Sequence, residues 1–277
     1  MNEKIEYKVL ARKYRPQTFA DLIGQEILVQ ILTNAITTNR IANAYLLTGV
    51  RGVGKTTTAR LIAMSLNCEN KKDDSCEPCG TCDSCKSIRS DHNLDVIEMD
   101  AASKTGVDDV REIIDNVKYK PVNCKFKIFI IDEVHMLSKS AFNALLKTLE
   151  EPPEHVKFIF ATTEVKKIPV TILSRCQRFD LKRVESKDLI QHLKRISELE
   201  KVKVDEDAIS LLVRAGDGSV RDSLSLLDQA IINTDTSVSA ETVEKMLGLA
   251  DRGKIYELLG HIAKGQASES LDLFRNL

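Results

Sequence analysis

Two stretches of this sequence carry residues at spacings that serve chemistry. Gly49-Val50-Arg51-Gly52-Val53-Gly54-Lys55-Thr56 is a complete G-x-x-x-x-G-K-T phosphate-binding loop of the Walker A type. Its glycines let backbone N–H groups curl round phosphate oxygens, and a helix opening at Lys55 adds its positive N-terminal end. Lys55 is expected to reach the β- and γ-phosphates of ATP, and the Thr56 hydroxyl to hold Mg²⁺; Gly49, Arg51, Gly52, Val53, Gly54 and Thr57 complete the nucleotide cradle. Downstream, Ile128-Phe-Ile-Ile-Asp132-Glu133 ends an apolar run on two carboxylates. A carboxylate at the end of a buried strand is costly unless it meets a cation, so Asp132 is expected to sit behind Mg²⁺. Glu133 is the candidate that polarises the attacking water. The neighbouring His135 is read as structural. Thr162-Thr163 closes the next strand, where a polar side chain can hold water or the γ-phosphate, although Thr is common in strands for other reasons.

The second constellation is sulfur. Five of the seven cysteines fall between Cys68 and Cys85. In a reducing cytosol such a cluster reads as a metal site rather than as disulfides. Cys79-x-x-Cys82-x-x-Cys85 supplies three thiolates, and tetrahedral Zn²⁺ needs a fourth, from Cys68 or Cys76. The run 76-79-82-85 also resembles an iron–sulfur pattern, but lacks the closing x₃-Cys-Pro. Cys124 and Cys176 stand apart and are read as small buried hydrophobes.

The elements that must position these residues alternate. Residues 22–43 read as a helix with Ile27, Ile31, Leu32 and Ala35 on its apolar side. Ala44–Thr48 is a short strand running into the glycine loop, and a helix follows from Lys55 to about Leu66. Strands are expected at Leu94–Met99, Lys127–Ile131 and Lys157–Ala161, the last two apolar throughout, as in strands buried on both faces. Helices are expected at Val107–Val117 and at Ser140–Glu150, the latter stopped by Pro152-Pro153. Ile168–Leu173 reads as a strand-like stretch broken by Pro169. From Ser186 the pattern turns helical: Ser186–Lys201, Asp205–Ala215 and Ser219–Asn233. Further helices begin after residue 240 and stop in mid-pattern at Leu277, which reads as a truncation. The fold class is therefore α/β, a P-loop domain with a parallel sheet and helices on both faces. Its expected divisions are residues 1–182 with the cysteine insert 68–85, a small helical lid at 183–245, and the start of a further helical domain at 246–277.

A net charge of −1 carries no global nucleic-acid signal, so any DNA contact must come from a local basic surface. Lys104, after a strand, and Arg111, on the helix that follows, are candidates, with ordinary solvated charge as the competing reading. No apolar run approaches the ~20 residues that span a bilayer, and the N-terminus has no signal-peptide pattern, so the expected location is cytoplasmic.

Walker A, Asp132-Glu133-Val134-His135, Leu145-Leu-Lys-Thr-Leu-Glu-Glu-Pro-Pro153, Ser174-Arg175-Cys176 and Gly218-Ser-Val-Arg-Asp222 stand in one order behind Leu10-Ala-Arg-Lys-Tyr-Arg-Pro16. With the cysteine insert, this set closely resembles the gamma/tau subunits of the bacterial DNA polymerase III clamp loader, over essentially the whole chain. The resemblance implies an AAA+ ATPase domain, a helical lid and a collar domain of which this chain holds only the first helices. It implies a hetero-oligomer with delta and delta-prime subunits that opens a sliding clamp by ATP hydrolysis and releases it on primed DNA. By position Thr163 resembles sensor 1, Arg221 sensor 2, and Arg175 an arginine finger for the neighbouring subunit. Ser219 and Asp222 have capping-box spacing, which would set Arg221 in a helix's first turn; unaided, Arg221 reads as an exposed surface residue. The family's cysteine pattern selects Cys68, Cys79, Cys82 and Cys85 as the Zn²⁺ ligands, in a structural role. Two rival readings are a non-hydrolysing delta-prime-like partner, opposed by the complete Lys55-Thr56 and Asp132-Glu133 pairs, and a branch-migration helicase of the same class.

Overall fold

The structure, a computed structural model, describes residues 7–72, 75–234, 237–248 and 252–275. A short helix α1 (Leu10–Lys13) and a single turn at Phe19–Asp21 precede α2 (Glu26–Thr37), β1 (Ala44–Thr48) and α3 (Lys55–Asn67). The cysteine insert carries α4 (Asp83–Arg89). Then come β2 (Val96–Asp100), α5 (Val107–Val117), β3 (Lys127–Asp132), α6 (Lys139–Glu150), β4 (Val156–Thr162), α7 (Val170–Leu173) and β5 (Gln177–Asp180). The five strands form one sheet in the order β2-β3-β4-β1-β5, every pairing parallel.

The apolar run of β3 has the composition it has because both of its faces are covered. Side chains alternate along a strand. Ile128 and Ile130 join Tyr45, Leu47 and Ile159 under α2 and α3, while Phe129 and Ile131 join Leu46, Phe158 and Phe160 under α5 and α6. Phe129 and Phe158 stack with centroids 5.5 Å apart. Side chains of this size each contribute about 1.5–3 kcal/mol when fully buried. The strand order matters for chemistry: with β3, β4 and β1 adjacent and parallel, their carboxyl ends bring Asp132, Thr162 and Thr48 to one rim.

Beyond β5 the chain is helical: α8 (Ser186–Leu199), α9 (Glu206–Gly216), α10 (Val220–Ile232) and α11 (Ala240–Leu247), with β6 (Lys203–Val204) and β7 (Ser237–Val238) as a small parallel pair. Leu189, Leu193, Ile209, Leu212, Leu224 and Leu227 form their core, and Leu10 of α1 inserts into it. Tyr7 ties the same N-terminal segment to α10 through a 2.6 Å hydrogen bond to Asp228 Oδ1. Helices α12 (Arg252–Ala263) and α13 (Ala267–Arg275) follow. Leu277, where the sequence pattern breaks off, lies outside the described residues. Among the described residues no helix is long and apolar enough to cross a membrane.

Three expectations are corrected. The helix expected over 22–43 is α2, 26–37, and Ile27 and Ile31 on its expected apolar side are exposed at 64% and 42%. Two apolar i, i+4 stripes run side by side on this helix, and the core takes Leu28, Leu32 and Ile36. Ile168–Leu173 is not strand-like. Pro169 precedes α7, as suits a residue with fixed φ at a helix start, and Ile168 and Ile172, four apart, are the buried pair. Cys124 and Cys176 are half-buried rather than fully buried; Cys176 packs against the core, and burial drives its thiol pKa up to about 12, whereas Cys124 Sγ lies near Ser84 Oγ at 3.7 Å.

Candidate nucleotide site and cysteine cluster

The glycine loop leaves β1 and enters α3. Gly49, Gly52 and Gly54 all have positive φ, which an L side chain rarely adopts. Gly52 is also fixed by space: a Cβ there would lie 2.0 Å from Ser219 Oγ. The first turn of α10 is thus docked on the loop, and the Arg221 N–H donates to the Gly52 carbonyl at 3.2 Å. Ser219 caps α10 by accepting from the Asp222 N–H at 3.2 Å, so Arg221 lies in the helix's first turn, exposed and lining the cavity. That cavity, of about 1010 Å³, runs between the loop, the sheet rim, the N-terminal segment and the lid.

Lys55 is buried at the head of α3, and its ammonium donates to the Gly49 and Val50 carbonyls at 3.1 and 2.9 Å. Burial lowers its pKa, with Glu133 and Asp132 opposing. Thr56 Oγ1 donates to Asp132 Oδ2 at 2.5 Å, which joins the loop to the end of β3. Glu133 has a left-handed backbone, φ +46°, that turns it off the strand. Its Oε2 accepts from the Thr163 N–H at 3.2 Å and the Thr163 hydroxyl at 3.1 Å. His135 is almost enclosed: Nδ1 lies 3.1 Å from Thr162 Oγ1 and 3.4 Å from Glu133 Oε2, and Nε2 lies 3.4 Å from Glu164. Arg51, Val53, Gly54 and Thr57 line the cavity with Lys55, Thr56, Asp132, Glu133, Thr163 and Arg221.

Arg175 is not at this cavity. It follows α7, with NH2 2.5 Å from Glu150 Oε1 and NH1 donating to the Thr171 carbonyl at 2.7 Å. Lys104 and Arg111 are both exposed, and Arg111 pairs with Asp108 on its own helix at 2.8 Å.

The cavity has a wall that motif spacing did not reveal. Val9, Arg12, Tyr14, Arg15 and Pro16 line it, with Asp21, Leu22 and Ile23, and His192 from α8. Arg15 is half-buried beside Arg60; burial, with the like charge adding, lowers its guanidinium pKa. The signal was the cation-rich run before Pro16, which carried the resemblance without an assigned role.

In the insert, the sulfurs of Cys68, Cys79, Cys82 and Cys85 lie within 4.8 Å of one another. Tetrahedral zinc at ~2.3 Å from each sulfur would set them about 3.8 Å apart, so the cluster is near the required size. Backbone N–H groups of Cys79, Cys82 and Cys85 donate to Cys68, Cys79 and Cys82 Sγ at 3.3, 3.3 and 3.4 Å, as suits thiolate ligands. Burial raises the thiol pKa of Cys68 and Cys85, whereas at Cys79 such donors, from Thr81 and Cys82, outweigh burial and bring the pKa to about 6; a bound cation would favour the thiolate at all of them. Cys76 is not in the cluster; its Sγ meets Thr33 Oγ1 at 2.9 Å. The donor set fits a soft tetrahedral ion.

Comparison with known proteins fits this geometry. The model of "DNA polymerase III, delta subunit" matches residues 24–185. The models of "DNA polymerase III clamp loader subunit, ATPase lid domain" and "DNA polymerase III subunits gamma and tau domain III" match residues 188–236 and 238–277. The chain is 51% identical over 261 residues to DNA polymerase III subunit tau/gamma of Haemophilus influenzae, covering 94% of this chain and 38% of that protein. It is 45% identical over 273 residues to DNA polymerase III subunit gamma of Buchnera aphidicola subsp. Acyrthosiphon pisum, covering 99% of this chain and 75% of that one. Among solved structures, the RuvB Holliday junction branch migration motor of Thermotoga maritima aligns with a TM-score of 0.60 at 18% identity, covering 91% of this chain and 80% of that one. The P-loop, the parallel sheet and the helical lid closing on it define an AAA+ fold. Within that class the relatives are specific: the chain belongs to the gamma/tau family of DNA polymerase III clamp-loader subunits. It spans about two fifths of the length of the Haemophilus relative.

Proposed function

We propose that this chain is the ATP-hydrolysing subunit of a clamp loader. In a ring with delta- and delta-prime-like subunits it uses ATP to open a sliding clamp and release it on primed DNA in the bacterial cytoplasm. The carrying observation is the convergence on one cavity of Lys55, Thr56, Asp132, Glu133, Thr163 and Arg221, drawn from the head of α3, the ends of β3 and β4, and the lid.

In this reading Lys55 exchanges its loop carbonyls for the β- and γ-phosphate oxygens, whose charge adds to that of Glu133 and Asp132 in offsetting the burial of the ammonium. Thr56 and Asp132 hold Mg²⁺, which when bound neutralises charge building up on the phosphates. Glu133 takes a proton from the attacking water, Thr163 orients it as sensor 1, and Arg221 meets the γ-phosphate from the lid. Arg175 acts on the neighbouring subunit's ATP, consistent with its distance from its own cavity. Cys68, Cys79, Cys82 and Cys85 hold Zn²⁺. Residues 1–182, 183–245 and 246–277 serve as ATPase domain, lid and the start of the collar. Lys104 and Arg111 contact DNA phosphates.

The delta-prime-like alternative lacks hydrolysis and is opposed by the Thr56–Asp132 and Glu133–Thr163 pairs. The test is ATP turnover by the chain alone and then assembled with its partners, with and without clamp and primed DNA. Slow basal turnover that rises on assembly and again on adding clamp and DNA is expected. Turnover indifferent to all three would overturn the assignment.

A further inference from the structure

The cysteine insert reaches the nucleotide cavity through one side chain. Glu77 stands between Cys76, packed on Thr33 of α2, and Cys79 of the sulfur cluster. Both of its carboxylate oxygens leave the insert: Oε2 accepts from the Phe19 N–H at 2.8 Å and Oε1 from the Ala20 N–H at 2.9 Å. These are the first two amides of the turn Phe19–Asp21, which have no partner within the turn, so the anion caps it. Phe19 is anchored in the core at 1% exposure, and the residues that follow, Asp21, Leu22 and Ile23, are cavity wall. A weaker link runs parallel to it, Arg89 of α4 to Gln17 Oε1 at 3.5 Å.

The insert therefore braces a wall of the cavity, and it does so from a loop held on one side by the Cys76 Sγ contact with Thr33 and on the other by the Cys79 N–H donating to Cys68 Sγ. We propose that Glu77 is a positioning residue for nucleotide binding, and that metal in the cysteine cluster sets ATP affinity by holding Glu77 against Phe19 and Ala20. The insert is then more than a staple for its own loop: loss of metal loosens the wall and weakens nucleotide binding while leaving the Lys55, Thr56, Asp132 and Glu133 chemistry intact. This rests on the reading of the cavity as an ATP site and of the cluster as a zinc site.

The expected signature is a split between binding and turnover. Charge-assisted hydrogen bonds of this kind are worth enough that Glu77→Ala is expected to weaken the Kd for MgATP by about tenfold. At saturating ATP the turnover of the assembled complex stays near that of the wild type. Amide hydrogen exchange at Phe19 and Ala20 rises, and zinc content stays at one per chain. Glu77→Asp, whose carboxylate is set back by one methylene and cannot reach both amides at full strength, falls between, and serves if the alanine variant folds poorly. Chelating the metal from wild-type protein is expected to reproduce both the exchange increase and the Kd change, and chelating Glu77→Ala to add little more. Wild-type Kd in both folded variants would overturn the inference, as would a chelation effect on Kd that is undiminished in Glu77→Ala. If wild-type protein bound no MgATP, or held no zinc, the site readings beneath it would fall instead.

Discussion

The Glu133 carboxylate is held by Thr163 through two hydrogen bonds, from the backbone N–H at 3.2 Å and the hydroxyl at 3.1 Å. The adjacency of β3 and β4 makes this contact possible, and the left-handed turn at Glu133 aims the side chain across. On the proposed reading of Glu133 as the base, this grip restrains it until a water and a γ-phosphate compete for it. Glu133→Gln keeps the shape and loses the base. It is expected to bind ATP within about twofold of wild type and to lower stimulated turnover by about 10²–10⁴, the range of general-base contributions. A single-turnover experiment separates the two, and undiminished chemistry would remove Glu133 from the mechanism.

Gly52 tests the docking of the lid. Adding a Cβ forces it against Ser219 Oγ and strains a backbone at φ +77°. Gly52→Ala is expected to fold, to separate α10 from the loop and to weaken nucleotide binding tenfold or more, on the order of 1.4 kcal/mol or above. Nucleotide titration by calorimetry measures this. Unchanged affinity would mean that the lid contact has no bearing on the bound state.

Zinc content discriminates between Cys68 and Cys76. One equivalent per chain is expected, lost in Cys82→Ser and Cys68→Ser and retained in Cys76→Ser, since the Cys76 thiol faces Thr33. Metal analysis of the purified variants is sufficient, and retention in Cys68→Ser with loss in Cys76→Ser would reverse the ligand choice.

Arg175 is predicted to act in trans. Its guanidinium is held by Glu150 and the Thr171 carbonyl, so a neighbouring subunit's phosphate must draw it away. Arginine fingers contribute about 10³–10⁵ in rate, roughly 4–7 kcal/mol of barrier. Arg175→Ala is expected to leave folding and ATP binding intact. In an assembly carrying it in one subunit only, the adjacent site loses hydrolysis; loss at the mutated subunit's own site would show action in cis.

How far the sequence reached depends on whether meaning lay in spacing or in packing. Gly49 to Thr56 has a fixed local geometry, so strand, loop and helix were legible together. The position of Asp132 and Glu133 at the cavity was legible because a buried strand rarely ends on two carboxylates without reason. The α2 stripe was misjudged because Ile27 and Leu28 are equally apolar, and only the third dimension shows which faces the core. Ile168–Leu173 was misjudged because β-branched residues suggest strand, while Pro169 and the burial of Ile168 with Ile172 favour a short helix. β5 escaped because Gln177-Arg178-Phe179-Asp180 is an edge strand with one buried side chain. The wall formed by Arg12, Tyr14, Arg15 and His192 comes from segments far apart in sequence, which no local pattern joins.

The account stands or falls on whether ATP bound at this cavity drives a clamp onto DNA. The direct measurement is transfer of a labelled sliding clamp to primed DNA by the complete assembly, with every copy of this chain either wild type or Lys55→Ala. Wild-type assemblies are predicted to load the clamp only when ATP is supplied, and Lys55→Ala assemblies to form normally, bind no ATP at these sites and load none. Loading by the Lys55→Ala assembly at the wild-type rate would contradict it.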